Sequence, residues 1–441
     1  MLYSIFKRRR IKSKSIVFIF LICFLIWLQS SDKRPKQALK KLNTSQTENF
    51  NLKYVNFEKE NQTLEQIIST LNTQYKINNF HFIKQILQEE QAESSKISNN
   101  SKINYPYPVP KFLVILIQVH SRLDYLKELI NSLRETRHIN ESLVIFSHDL
   151  FDKEINKLIE SVDFCATLQI FYPFSLQVYP DKFPGHDPND CPKSIKKEEA
   201  KLRKCINADN PDTFGHYRES TIVQIKHHWF WKLNYVFDKL EITKSLKNLH
   251  ILLLEEDHYV FQDSIHIMRK LTQEILSEVD IVSLGYFKGK NQLFDPKSLK
   301  SWSKAYWWAS SNAIGVVVTR TLFDKIKKCS QIFCEYDDYN WDWSLQFVVQ
   351  KCFKDHLISI YPTFSRVAHL GECGTHFKGK KCDQNSKVSQ MKQKYQASVS
   401  SFFPQSISMS GKVLGMRKIK KSNGGWSDPR DHRLCKSFVL S

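Results

Sequence analysis

The sequence predicts an α/β protein built on a mostly parallel sheet with helices on its faces. Five segments, "FLVILIQVH" (112–120), "SLVIFSHD" (142–149), "LQIFYPF" (168–174), "HILLLEED" (250–257) and "DIVSLGYF" (280–287), are apolar almost throughout, as strands covered on both faces must be. The first two alternate with stretches of helical spacing at 123–134 and before Val162, giving a βαβα order. Several strands end in charge or imidazole, and in open α/β sheets ligands collect at the carboxyl ends of the strands.

The chain before these strands reads in three parts. "KRRRIKSK" (7–14) precedes the unbroken apolar run "IVFIFLICFLIWL" (16–28). Extended by Ser15 and by 29–31, the run suits a thin early-secretory bilayer. The basic cluster ahead of it predicts a type II signal-anchor at 15–31, with 1–14 cytosolic and the rest lumenal. A cleaved signal peptide is the alternative, but no small-x-small cleavage site follows the run. Residues 32–105 turn to Asn, Gln, Ser, Lys and Glu without Gly or Cys, and read as a stem. Within it "LEQIISTLNTQYKINNFHFIKQILQEEQ" spaces Ile and Leu as an amphipathic helix does, which leaves room for self-association into a homodimer. The prolines of "YPYPVP" (105–110) enforce an extended entry to a lumenal catalytic domain over 106–441.

Composition narrows the function. With 441 residues, 41% of them hydrophobic, the chain can bury a large core. Its net charge of +20 is spread along the sequence without a finger, RRM or helix-turn-helix pattern, which argues for a solvated basic surface and against specific nucleic-acid binding. All cysteines but Cys23 fall in the lumenal part. Their spacings are too wide for CxxC-type zinc pairs, so disulfides are expected, and an odd number of thiols leaves one free. Sequons at Asn43, Asn61, Asn99 and Asn140 fit a glycosylated lumenal chain.

Three constellations carry chemistry. In "ILLLEEDHYV" (251–260) a buried strand runs directly into Glu255, Glu256 and Asp257. Carboxylates crowded at low dielectric repel one another unless a cation sits among them, and oxygen ligands suit Mn²⁺ or Mg²⁺ completed by substrate phosphates. A polar exit from the strand is the plain alternative. In "FCEYDDYNWDWSLQ" (333–346) acids alternate with Tyr336, Tyr339, Trp341 and Trp343 ahead of a helix. Aromatic faces suit sugar rings, and a carboxylate in a partly dry site can act as a base. Asp337 and Asp338 could equally be helix-terminal acids, whereas Asp342, between two tryptophans, carries a charge that is costly unless used. "HLGECGTHFKGKKC" (369–382) brings two histidines in a Gly-rich, Cys-bracketed loop. In "FGHYRESTIVQIKHHWFWKL" (214–233) core packing accounts for the tryptophans.

Six blocks in order, "FGHYRE", "KHHWFWKL", "LEEDHY", "YDDYNWDW", "HLGECG" and "NGGW…DHRLCKS", closely resemble the N-acetylglucosaminyltransferase II family over about 112–437. The resemblance implies a GT-A glycosyltransferase fold in a Golgi type II membrane enzyme. Its reaction would transfer GlcNAc from UDP-GlcNAc, beta-1,2-linked and with inversion, to the alpha-1,6-arm mannose of an N-glycan. It further implies Asp257 and His369 as Mn²⁺ ligands, Asp342 as catalytic base, and Gln118, Val119, His120, Ser121, Arg122 and Asp149 as donor-binding strand ends. Gln224, Ile225, Lys226, His227 and His228 would form a further donor segment. Glu255, Glu256, Tyr339 and Trp341 would orient the site or meet the acceptor. The implied disulfides are Cys191–Cys205, Cys329–Cys352, Cys334–Cys435 and Cys373–Cys382, leaving Cys165 free. The chain departs from the vertebrate pattern where Leu276 and Val279 replace a CxxC pair, and 288–311 matches poorly. A related transferase with another mannose acceptor, and an inactive lectin-like lumenal protein, are the competing readings.

Overall fold

The computed structural model describes residues 63–99, 111–275, 279–353, 355–371, 384–410, 419 and 421–440. The expected tail, the anchor at 15–31, the earlier part of the stem, the 105–110 boundary and the Cys373–Cys382 pair lie outside the described residues. Among the described residues no helix is long and apolar enough to cross a membrane.

In chain order the strands that build the main sheet and the site are β1 (Leu113–Val119), β2 (Ser142–His148), β3 (Ala166–Phe171), β4 (His250–Glu255), β5 (His258–Val260), β6 (Ile281–Gly285), β7 (Ser301–Tyr306), β8 (Ile314–Thr319), β9 (Ile358–Pro362), β10 (Val367–His369) and β11 (Ser408–Ser410). The helices that bear on the site are α1 (Leu64–Thr73), α2 (Lys84–Asn99), α3 (Leu123–Arg134), α4 (Lys153–Glu160), α5 (Ser220–Asn234), α6 (Trp341–Lys351) and α7 (Pro429–Leu440).

The nine-stranded sheet runs β11-β7-β9-β6-β8-β4-β1-β2-β3. β4, β1, β2 and β3 are mutually parallel, while β8 pairs antiparallel with both β4 and β6. The apolar runs explain the buried half: along β1, Val114 and Leu116 enter one core while Leu113, Ile115, Ile117 and Val119 enter the other, the alternation of a strand covered on both faces. The register sets Gln118 beside Glu255 and Val119 beside His148, so the polar ends of β4, β1 and β2 finish at one edge.

The described part of the segment expected to be a stem, 63–99, packs against the sheet. Ile68 of α1 is buried, as are Ile83 and Leu87 at and after the start of α2. Asn78 bridges Thr167 on the outer edge of β3, with paired N–H···O bonds of 2.9 and 3.1 Å. Asn72 completes this cover: its Nδ2 donates to the Phe171 carbonyl at 2.7 Å, and its Oδ1 accepts from the Phe171 N–H at 2.9 Å. An edge strand left open would expose unpaired backbone groups, so these helices belong to the fold rather than to a spacer. Asn72→Ala strands both Phe171 groups. It is expected to lower unfolding free energy by about 1–3 kcal/mol in urea titration, and unchanged stability would show that the edge is not held there.

Three of the implied disulfides are formed, Cys191–Cys205, Cys329–Cys352 and Cys334–Cys435, and Cys165 is free and buried. Cys334–Cys435 ties α7 to the short helix Ser330–Glu335 that leads into α6.

Candidate active site

β4 delivers Glu255 at its last position, and the turn into β5 carries Glu256 and Asp257. β10 lies antiparallel to β5 and brings His369 opposite His258. Ligand atoms of Glu255, Asp257 and His369 thereby lie within 4.8 Å of one another. His369 Nε2 is 3.4 Å from Asp257 Oδ2, and the Leu370 N–H donates to the Asp257 carbonyl at 2.8 Å. Gly371 passes so close that a Cβ there would sit 2.0 Å from Asp257 Oδ2, so only glycine lets the chain cross this carboxylate.

The three acids are not equivalent. Glu256 turns back to accept from the N–H groups of His120 (2.8 Å) and Arg122 (3.3 Å), fixing the loop after β1. Glu255, expected to orient the site, places a carboxylate oxygen in the same cluster as Asp257 and His369. Arg122 contacts Asp257 and lies 3.6 Å from Glu256. Burial pushes the Asp257 carboxyl upward, but His369, His258 and Arg122 outweigh it and hold the group below its ordinary range. Burial, reinforced by Asp257, raises Glu255. Asp257 Oδ1 is buried without any hydrogen-bond partner. An orphaned carboxylate oxygen beside a second carboxylate and an imidazole fits a divalent cation.

A second network lies at the end of β2. Asp149 accepts from His120 Nδ1 at 2.6 Å and Gln224 Nε2 at 3.2 Å, with His228 Nδ1 3.7 Å away. The Asp149 charge, acting on a side chain that is more than half exposed, raises the His120 pKa to about 9 and favours its protonated form. Burial works to raise Asp149, but His120 and His228 hold it well below the usual carboxylate range. Val119 is buried and its carbonyl accepts from the Asp149 N–H, while Ser121 is exposed and Ile225 half-buried.

The 224–228 segment divides along the faces of α5. Gln224 and His228 face the Asp149 network, His228 hydrogen-bonding Ser147 at 2.8 Å. Lys226 and His227, expected to contact the donor, have their side chains engaged with the carboxyl-terminal half of the fold. Lys226 Nζ donates to the carbonyls of Tyr336 and Asp338 at 3.1 and 3.0 Å, over the Trp426 ring at 4.2 Å. His227 pairs with buried Asp431 of α7 at 2.9 Å.

Asp337 and Asp338 are likewise structural. Asp337 accepts from the Thr213 and Trp426 N–H groups, and buried Asp338 accepts from Asn340 and Asn423, which pins the carboxyl-terminal "NGGW" segment to the start of α6. Gly424 and Gly425, with φ of +73° and +76°, supply the left-handed turns this segment needs. Tyr339 packs against it, its N–H donating to the Gly424 carbonyl at 3.2 Å.

Asp342 stands in the first turn of α6. Trp341 stacks on Trp229 of α5 (centroids 4.5 Å, planes 7° apart), and Trp343 meets Trp308 edge to face at 5.9 Å. These contacts fix the carboxyl, which accepts from the Trp343 N–H at 2.8 Å. Burial, with the charges of Asp338 and Glu255 adding to it, raises its pKa to about 7. Glu255 therefore joins the two halves of the site: it belongs to the triad and its charge is felt at Asp342.

The family described as N-acetylglucosaminyltransferase II matches residues 84–435. An alpha-1,6-mannosyl-glycoprotein 2-beta-N-acetylglucosaminyltransferase of Sus scrofa is 42% identical, covering 75% of this chain and 74% of that one. Its namesake from Arabidopsis thaliana is 32% identical over 74% of each. Among solved structures, S. aureus TarS 1-349 aligns with a TM-score of 0.33 at 10% identity, covering 66% of this chain and 72% of that chain.

Proposed function

The chain belongs to the N-acetylglucosaminyltransferase II family and adds N-acetylglucosamine to the alpha-1,6-arm mannose of N-glycans, and on that premise we propose how it does so. The donor is UDP-GlcNAc, the fold is of the GT-A type, and Glu255, Asp257 and His369 hold Mn²⁺. The strand ends from Gln118 to Arg122 with Asp149 receive the nucleotide, and Asp342 is the base. Residues 15–31 anchor the enzyme in the Golgi membrane with its catalytic domain lumenal.

Asp342 takes the proton of the mannose 2-hydroxyl as that oxygen attacks the anomeric carbon of GlcNAc from the face opposite the diphosphate. The bond from that carbon to the UDP oxygen breaks with its electron pair on the diphosphate, so a single displacement inverts the configuration. The bound cation would neutralise this diphosphate charge, and cationic His120 and Arg122 stand at the same edge to share it. Trp341 and Trp343 keep water from the Asp342 carboxyl and hold its rotamer through their partners Trp229 and Trp308.

The observation that supports this reading most directly is the nearness of Glu255, a triad member, to Asp342, the one acid with a pKa raised to about 7 in the aromatic segment. An inactive lectin-like protein would have no need of both. The test is to incubate the full chain with UDP-GlcNAc, Mn²⁺ and a core glycan already bearing GlcNAc on its alpha-1,3 arm, then map the new linkage. A beta-1,2 product on the alpha-1,6 arm is expected; a product on another mannose would overturn the acceptor. Chelation by EDTA is expected to abolish turnover and Mn²⁺ to restore it, while Asp257→Asn should lower Mn²⁺ affinity about tenfold or more, by the loss of one charged ligand. Turnover that survives EDTA would sink the triad.

A further inference from the structure

Lys232 is 1% exposed in the aromatic stretch of α5, and the mechanism above does not use it. A buried ammonium group is costly unless something answers it. Its Nζ donates to Gln118 Oε1 at 2.7 Å, and among the described residues this is the only hydrogen bond it makes. Burial pushes its pKa down to about 7, while the charges of Glu255 and Asp149, from beyond ion-pair distance, favour the ammonium form. Lys232 thus sits beneath the strand ends, between the metal-binding triad and the Asp149 network.

An ammonium group has donors only. The oxygen of the Gln118 amide must therefore face Lys232, and its NH2 must face away. Gln118 is the last residue but one of β1, between Glu255 and Ser147 in register, and it is partly open at the carboxyl edge of the sheet. Its Nε2 makes no hydrogen bond to another described residue.

We infer that Lys232 is a positioning residue for the donor nucleotide: it locks the Gln118 amide with its NH2 toward the cleft, where it donates to a carbonyl oxygen of the uracil ring. Without the lock the amide oxygen loses its buried partner and the NH2 is no longer held toward the cleft, so its hydrogen bond to the base is lost. This rests on the UDP-GlcNAc reading above.

The test is calorimetric titration of UDP, with Mn²⁺ present, into the full chain carrying Lys232→Met, Gln118→Ala or both. Lys232→Met is expected to weaken UDP about tenfold, the scale of one lost hydrogen bond. It should raise the donor KM with kcat within about twofold, and add nothing in the Gln118→Ala background. Unchanged UDP affinity in a variant of normal melting temperature, or a full tenfold loss on top of Gln118→Ala, would overturn the inference. Should Lys232→Met fail to fold, Lys232→Gln, whose amide accepts as well as donates and so no longer dictates which end of Gln118 it meets, carries the same cycle. A wild-type chain that does not bind UDP at all would instead refute the donor assignment, and this inference with it.

Discussion

Asp342→Asn is expected to lower kcat about a hundred- to ten-thousandfold, the usual contribution of a general base, while leaving UDP affinity unchanged. The amide keeps the shape and the bond to the Trp343 N–H but cannot take a proton. The stability effect should run the other way. The folded-state pKa is raised to about 7 from an ordinary 3.8, so the protein keeps its full stability below pH 4 with respect to this group. It loses that contribution as pH rises through 7, because the ionised carboxyl is disfavoured in the fold. At pH 7.5 the Asn variant should therefore melt no lower than wild type. In the wild type the same titration places the acid limb of the kcat profile near pH 7, since only the ionised form can act. A variant with near-normal turnover, or a rate indifferent to pH between 5 and 8, would remove Asp342 from the chemistry.

Asp263→Ala should produce the largest loss of stability. Asp263 and Arg366 are both fully buried and bonded at 2.8 Å, and the guanidinium also donates to the carbonyls of Phe364 (2.7 Å) and Leu299 (2.8 Å). The ring faces of Phe364 and Phe402 lie 5.3 and 5.8 Å from it. Removing the carboxylate leaves a buried positive charge without its counter-ion, which costs about 3–5 kcal/mol and should lower the melting temperature by roughly 10 °C. The consequence reaches the site, because Arg366 immediately precedes β10. Its N–H donates to the Leu284 carbonyl at 2.6 Å and its carbonyl accepts from the Phe261 N–H at 3.0 Å. Mn²⁺ affinity should fall with stability, since His369 lies three residues on. A melting temperature within a degree or two of wild type would show that the charge is answered elsewhere.

The sequence was legible where a local pattern forces a local outcome. A run such as "ILLLEED" must be a strand buried on both faces, because no amphipathic arrangement hides four consecutive aliphatic residues, and its acids must then emerge at a strand end. The helix expected over 123–134 is α3, and the buried parallel strands are β1 to β4 and β6. β8, "IGVVVT", carries the same signal as the others, but its antiparallel insertion beside β4 cannot be read from it. The Lys232 signal was also present, a cation in the middle of "HHWFWKL", but a lone lysine there reads equally as a snorkelling surface residue.

Sequence alone thus determined the fold class, the acidic strand end, the aspartate between tryptophans and the aromatic helix. Tertiary structure alone decided where each acid points. Glu255 and Glu256 are neighbours in the chain, but their side chains leave in different directions: one meets Asp257 and His369, the other caps the loop after β1. Lys226 and Lys232 share one helix, yet one holds the carboxyl-terminal segment and the other meets Gln118. In each case the partner comes from a distant part of the chain, and only the registers β1–β4 and β5–β10 bring it within bonding distance. Local periodicity fixes which face a residue occupies; what waits on that face is set by contacts that no short stretch of sequence contains.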